Sequence, residues 1–74
     1  MYKNDIGINA GAIWSLLEER GALSIMEIGE LTNYKEAFIF LALGWLSRED
    51  KICFFDKNGI VYIELKNKFH EGFY

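Results

Sequence analysis

Few side chains in this sequence have the types and spacing that catalysis requires. Cys53 is the only cysteine and His70 the only histidine, and nothing in the pattern ties either residue to a nucleophile–base pair. We therefore interpret Cys53 as a small structural residue and give His70 no catalytic role. The carboxylates of the helical segments fit exposed faces and form no buried pair for acid–base work: Glu18, Glu19, Glu27 and Glu30. The sequence predicts no catalytic residues, and we expect a protein that is not an enzyme.

Metal, cofactor and disulfide chemistry have equally little support. One cysteine cannot form an internal disulfide, and without paired cysteine or histidine spacings a structural zinc site is not expected. No pattern indicates a cofactor or a small-molecule substrate. A lone cysteine with no signal segment before the first helix fits the reducing cytosol, so we predict a cytoplasmic protein. The longest apolar run, 37–46, is shorter than the roughly 20 residues that span a membrane.

The balance of charge and hydrophobicity favours a protein partner over nucleic acid. The net charge is −3 and the pI is near 5.0, which favours neither nucleic acid nor an anionic membrane as partner. Hydrophobic residues make up 51% of the chain and aromatic residues 16%. A domain this small buries only about 60% of the surface that its unfolded chain exposes. This composition therefore predicts a full hydrophobic core and further apolar surface that a partner would bury.

The elements that must position these residues begin with two helices. The first is predicted from about residue 9 to 19, with Asn9 as its N-cap and Gly21 as its C-terminal cap. After an extended link at 22–23, Ser24 and Glu27 have the pattern of a capping box that begins a second helix. Its predicted inward residues recur at three-residue spacing: Ile25, Ile28 and Leu31.

A third helix and a β-hairpin complete the pattern. A second capping-box pattern from Asn33 to Glu36 predicts a third helix that ends near residue 49, and the tight turn before it indicates a helix-turn-helix. Asn58-Gly59 is a strong hairpin signal between strands predicted at 52–57 and 60–65. A two-residue turn there pairs Lys57 with Ile60, Phe55 with Tyr62 and Phe54 with Ile63. One face of the hairpin is then expected to meet the helices: Ile52, Phe54, Val61, Ile63 and Leu65.

Three helices followed by a hairpin make a winged helix-turn-helix, in which the hairpin is the wing. The predicted fold class is α+β, mainly α. We expect residues 1–74 to form a single domain, with a tail at 66–74 whose structure, flexible or ordered, the pattern leaves open.

The third helix is apolar on all sides, which is unusual for a helix that reads DNA. At about 100° per residue, one face suits the contact with the first two helices: Ile39, Ala42, Leu43 and Leu46. Phe38, Leu41 and Trp45 fall on a second sector, and Phe40 points a third way. A helix that is apolar all round is normally buried all round, and a chain of this length has little protein left to cover the second sector.

The charges near the third helix and the wing are balanced, whereas DNA recognition needs an excess of cations. Four cations there are interleaved with four anions, but DNA binders make on the order of 6–10 phosphate contacts. We therefore predict an interaction module that forms a homodimer or binds another protein. The interface candidates are Phe38, Phe40, Leu41, Trp45, Phe55 and Tyr62. The alternative is a dimeric DNA-binding transcriptional regulator, for which the nucleic-acid candidates are Lys35, Arg48, Lys57, Lys66 and Lys68.

Two segments resemble a family of short bacterial winged helix-turn-helix proteins of unknown function. They are 6–14, with the sequence IGINAGAIW, and 42–52, with the sequence ALGWLSREDKI, and the resemblance extends over about residues 5–65. Both segments are long, and both contain glycine and tryptophan. The resemblance implies the winged fold and homodimers, and it implies no catalytic residues.

Several of the distinctive residues also have simpler interpretations. Trp14 and Trp45 could belong to the core, with Gly11 and Gly44 letting the first and third helices approach closely. The pair Phe55 and Tyr62 could stabilise the hairpin alone. The charged run 48–51 is interpreted as a solvated helix end, whose ion pairs contribute little to stability.

Overall fold

The computed structural model describes the backbone of residues 2–66 and the side chains from Asp5 onward. Three helices and three strands follow one another along this part of the chain. They are α1 (Tyr2–Arg20), β1 (Leu23–Ser24), α2 (Ile25–Thr32), α3 (Glu36–Arg48), β2 (Ile52–Lys57) and β3 (Ile60–Leu65). The prediction of a winged helix-turn-helix is confirmed. Most of the predicted tail, including Lys68 and His70, lies outside the described residues.

The first helix is longer than predicted. It begins at Tyr2 rather than at residue 9, so Asn9 is a helix-interior residue and the prediction that it is the N-cap is wrong. Glycine in a helix interior costs up to about 1 kcal/mol relative to alanine, but Gly7 and Gly11 are both accommodated because α1 packs lengthwise on α3. The other end is as predicted, since Gly21 has a φ of 85° and its N–H donates to the Leu17 carbonyl at 2.9 Å.

The second helix begins at the predicted capping box. The Glu27 N–H donates to Ser24 Oγ at 3.1 Å, and the Ser24 N–H donates to Glu27 Oε1 at 2.9 Å. Ile28 is fully buried and Ile25 packs against the core. Leu31 is exposed, so its predicted inward position is wrong. The covered side of α2 consists of Ile25, Ile28, Gly29 and Thr32, and at about 100° per residue Leu31 falls outside that side.

The predicted second capping box does not form. Asn33 instead ends α2 in the left-handed conformation, with a φ of 62°, and its N–H donates to the Gly29 carbonyl at 2.8 Å. Thr32 Oγ1 accepts the Tyr34 N–H at 3.1 Å, which fixes the turn. The third helix starts two residues later than its pattern predicts, after Lys35, which makes no side-chain cap bond.

The third helix ends at Arg48, close to the prediction, in a motif that the sequence did not signal. Asp50 takes a φ of 60°, and its N–H donates to the Ser47 carbonyl at 3.0 Å. The Lys51 N–H donates to the Leu46 carbonyl, also at 3.0 Å. These two bonds form a Schellman motif with aspartate at the position that usually holds glycine, and they direct the chain into β2.

The three strands form one antiparallel sheet in the order β1–β3–β2. The predicted hairpin register is confirmed, with Lys57 opposite Ile60, Phe55 opposite Tyr62 and Phe54 opposite Ile63. The prediction for the inner face is only partly correct. Ile52 and Ile63 are buried, but Phe54 is 48% exposed and Val61 44%. Phe54 lies on the edge strand β2, opposite the buried Ile63 of the central strand β3, and Val61 lies beyond the short pairing of β1 with β3.

The core lies where the helices meet the base of the sheet. Its most deeply buried side chains come from all three helices and from β3, and they are Ile13, Leu17, Ile28, Ile39 and Ile63. Burial of one such side chain stabilises the fold by about 1.5–3 kcal/mol. The core therefore fixes the orientation of α3 and of the hairpin base, and it leaves the outward side of α3 without cover in the described residues.

Candidate protein-interaction surface

The third helix has a buried side and an exposed side, as its sequence predicts. The buried side consists of the four predicted residues, Ile39, Ala42, Leu43 and Leu46. At about 100° per residue, the opposite side, which we call the outer face of α3, consists of Ala37, Leu41, Gly44 and Arg48, all of them exposed. In a winged helix that reads DNA, the outer face would carry the polar and basic side chains that contact bases and phosphates.

Large apolar side chains surround the outer face. Phe40 is 50% exposed, Leu41 47% and Trp45 36%. Phe38 is half-buried, so it contributes less open surface than its neighbours. The four predicted interface residues of this helix thus include three with a large part of the side chain in contact with solvent. Leu41 and Trp45 are four residues apart and are therefore neighbours on the helix surface, and neighbouring exposed apolar side chains mark interaction sites more often than scattered ones do.

Trp45 lies on the flank of α3 that faces α1. A Cβ built on Gly7 would stand 3.9 Å from Trp45 Cζ2, which is an ordinary van der Waals distance. Gly11 and Gly44 are both exposed, and a Cβ on either would have no atom within 4 Å. The interpretation that Gly11 and Gly44 bring the two helices together is therefore wrong. At this flank the Trp45 ring lies beside Gly7 of α1.

A groove of about 440 Å³ opens along this flank, and we call it the tryptophan groove. Its lining includes Gly7, Gly11, Trp14, Trp45, Glu49 and Lys51. Trp14 is half-buried and packs against the core on one side, consistent with its expected structural role. The groove thus has indole walls, a floor formed by α1 and one charge of each sign at its rim.

The wing carries a second aromatic group. Phe55 and Tyr62 stack with ring centroids 5.6 Å apart and an interplanar angle of 16°, on the hairpin face that points away from the helices. The predicted cross-strand pair is therefore confirmed, and such a pair contributes about 0.5–1.5 kcal/mol beyond its buried area. A role for these two residues in an interface stays a prediction.

Basic side chains are present on the surface but do not form a patch of one sign. Lys35, Arg48 and Lys57 are exposed. The Lys66 ammonium donates to Asp50 Oδ1 at 2.6 Å, and this hydrogen bond, with the charge of Asp50, raises the pKa of Lys66 above its ordinary value of 10.5. Residues 35–66 hold five cations and five anions. This balance gives little of the positive potential that attracts a nucleic-acid backbone.

Reactive groups are sparse in the part of the chain that the structure describes. No group of three or more histidine, cysteine, aspartate or glutamate side chains there could hold a metal ion. The Cys53 thiol donates a hydrogen bond to Glu64 Oε2 at 3.9 Å, across the pairing of β2 with β3. Among the same residues, no helix is long and apolar enough to cross a membrane.

The structure exposes apolar residues that the sequence analysis did not assign to a surface. Phe54 and Val61 lie on the hairpin face opposite the stacked pair, and Ile8 and Met26 lie on the first two helices. Alternation along the strands correctly gave the face of Phe54 and Val61, but their exposure depends on the strand order, which places Phe54 on the edge strand β2.

The order of three helices and a three-stranded antiparallel sheet defines a winged helix-turn-helix domain. Residues 1–65 match the family model described as "Winged helix-turn-helix domain (DUF2582)", and the chain belongs to this family. An uncharacterized protein of Methanocaldococcus jannaschii is 43% identical over 49 residues, which are 64% of this chain and 70% of that protein. A protein of Bacteroides thetaiotaomicron with a solution NMR structure matches with a TM-score of 0.83 and 36% identity, over 100% of this chain and 90% of that one. The family resemblance inferred from the sequence is confirmed.

Proposed function

We propose that this protein is a non-enzymatic interaction module that forms a homodimer through the outer face of α3. The observation that carries the proposal is the exposure of Leu41 on the outer face, with Phe40 beside it, on the helix that would otherwise read DNA. Apolar side chains gain about 25 cal/mol for each Å² removed from water, and they offer no hydrogen bonds to base edges. A protein surface can bury these apolar side chains, whereas a phosphate backbone cannot.

The spacing along the outer face supports a second copy of the chain as the partner. Ala37, Leu41, Gly44 and Arg48 follow one another at intervals of four, three and four residues, which is the spacing of a coiled-coil seam. Around a two-fold axis between Ala42 and Leu43, two antiparallel α3 helices would place Leu41 of each copy opposite Gly44 of the other. A large side chain would then fill the space left by a small one, as close packing requires.

The charges at the two ends of α3 also suit this arrangement. Glu36 and Arg48 are exposed at opposite ends of the helix. In an antiparallel pair, each Arg48 would approach Glu36 of the other copy, so the ends attract rather than repel. A stable interface buries about 800 Å² from each partner, which is more than one face of a short helix offers. Phe55 and Tyr62 of the wing are the candidates for the remainder.

The variant Leu41→Glu tests this proposal. It would place a charge at the centre of the seam, and an unpaired buried charge costs several kcal/mol, so we expect the variant to be monomeric at concentrations where the wild type is dimeric. The measurement is sedimentation velocity across a dilution series. Met26→Glu is the matched control, because Met26 is 74% exposed on α2 and outside the proposed interface. Equal masses for the wild type and both variants at every concentration would contradict the proposed interface.

A dimeric DNA-binding regulator is the second candidate function, and the winged helix-turn-helix family is the observation that favours it. In that case Lys35, Arg48 and Lys57 of two copies would have to form one basic surface. Titration with mixed-sequence duplex at low salt separates the two functions. Binding that weakens steeply with added salt, and weakens further in Lys57→Gln, would support the regulator. We expect no such binding.

Two further inferences concern the domain organisation of the chain and its location in the cell. We infer that residues 1–74 act as one domain, because one core joins α1, α2, α3 and the sheet. We also infer that the protein works in the cytoplasm, where Cys53, which is free in the structure, would stay reduced.

A further inference from the structure

The tryptophan groove begins where the described chain ends. The Lys66 N–H donates to the Lys51 carbonyl at 3.0 Å, and the Lys66 ammonium bonds Asp50. Lys51 itself lines the groove. The backbone that leaves β3 is therefore held beside Lys51, a residue of the groove lining, by one main-chain hydrogen bond, and residues 67–74 follow from that point.

The sequence of this segment suits the groove. Three of its eight residues are aromatic, namely Phe69, Phe73 and Tyr74. Segments that remain in solvent are usually poor in aromatic residues, because their composition lacks apolar surface to bury. The segment also carries Lys68 and Glu71, one charge of each sign, and the groove rim carries Glu49 and Lys51.

The distances allow the segment to reach the groove in the same molecule. Phe69 follows Lys66 by three residues, which is up to about 10 Å of extended chain, and Phe73 follows by seven, up to about 23 Å. The stretch of α1 from Gly7 to Trp14 that lines the groove is about 10 Å long. Both phenylalanines can therefore reach the indole rings without a change in the described fold.

We propose that the tryptophan groove is a docking site for the aromatic segment 67–74 of the same chain, with Phe69 and Phe73 packed against Trp14 and Trp45. Offset or edge-on aromatic contacts of this kind stabilise a complex beyond the area that they bury. The docked segment covers the α1-facing flank of α3 and leaves the outer face open for a partner. This inference does not rest on the proposed dimer.

Tryptophan fluorescence tests the proposal directly, because the two tryptophans of the chain both line the groove. In the full-length double variant Phe69→Ser/Phe73→Ser, we expect the emission maximum to move to longer wavelength and the acrylamide quenching constant to rise. Asn67→Ser is the matched control, since it alters the segment but keeps its aromatic rings, and it should behave as the wild type. Unchanged emission and quenching in the double variant would overturn the proposal.

A second measurement on the wild type needs no substitution. Isotope-filtered NOEs on a mixture of labelled and unlabelled chains should connect the indole protons with the Phe69 and Phe73 rings within one molecule. NOEs found only between molecules, or none, would overturn docking in the same chain. Sedimentation of the double variant keeps the two proposals separate, because loss of docking should leave the dimer mass unchanged.

Discussion

Ser24 takes part in both β1 and the start of α2. Its backbone pairs with Tyr62 in the sheet, and its hydroxyl oxygen accepts the first-turn N–H of Glu27. This double role was predictable in part, because a serine followed three residues later by glutamate is a local signal with a local cause. The same signal at Asn33 and Glu36 was misleading, since Asn33 also tolerates the left-handed conformation that ends α2.

The variant Ser24→Ala should lower the free energy of unfolding by about 1 kcal/mol, because it leaves a helix N–H without its cap. Chemical denaturation measures this loss. Ser15→Ala is the control, since Ser15 is exposed within α1 and alanine is the stronger helix former, so its stability should be unchanged or slightly higher. A Ser24→Ala variant as stable as Ser15→Ala would show that the capping box contributes nothing.

The sequence predicted the bounds of some helices and strands more accurately than those of others. The hairpin was correct to the residue, because Asn58 and Gly59 both take positive φ values, 56° and 81°, as a type I′ turn requires. The start of α1 was wrong because Asn9, a residue type favoured at the N-cap, lies inside a helix that begins at Tyr2. The turn at Asp50 was not foreseen, since a non-glycine residue with positive φ has no reliable sequence signal.

Two glycine substitutions test this difference between turn and helix. Gly59→Ala should destabilise the protein by about 1–2 kcal/mol, because alanine is strained at positive φ. Gly29→Ala should stabilise it by up to about 1 kcal/mol, because Gly29 is helical and a Cβ there would stand 3.6 Å from Ile39 Cδ1, an ordinary van der Waals distance. Urea denaturation of both variants measures the two effects. Effects of equal sign would contradict the backbone conformations described for these positions.

At the scale of the whole molecule, the sequence predicted which helix carries the exposed apolar surface, but it did not predict how far that surface extends. The apolar character of α3 could be read directly from the sequence. Four apolar residues are enough to form the buried side of the helix, so its other apolar residues must lie outside that side. The tryptophan groove was not predictable, because it depends on how α1 and α3 lie beside each other, and only the assembled fold defines that. The exposure of Phe54 and Val61 likewise depends on the order of the strands in the sheet.

The central claim is that a second copy of the chain covers the outer face of α3 in solution. Sedimentation equilibrium of the unmodified protein, across a dilution series, tests it most directly. We predict a mass of twice the 8.6 kDa of one chain at high concentration, which falls toward that of one chain on dilution. A mass of 8.6 kDa at every concentration, with the outer face open to solvent, would contradict the claim.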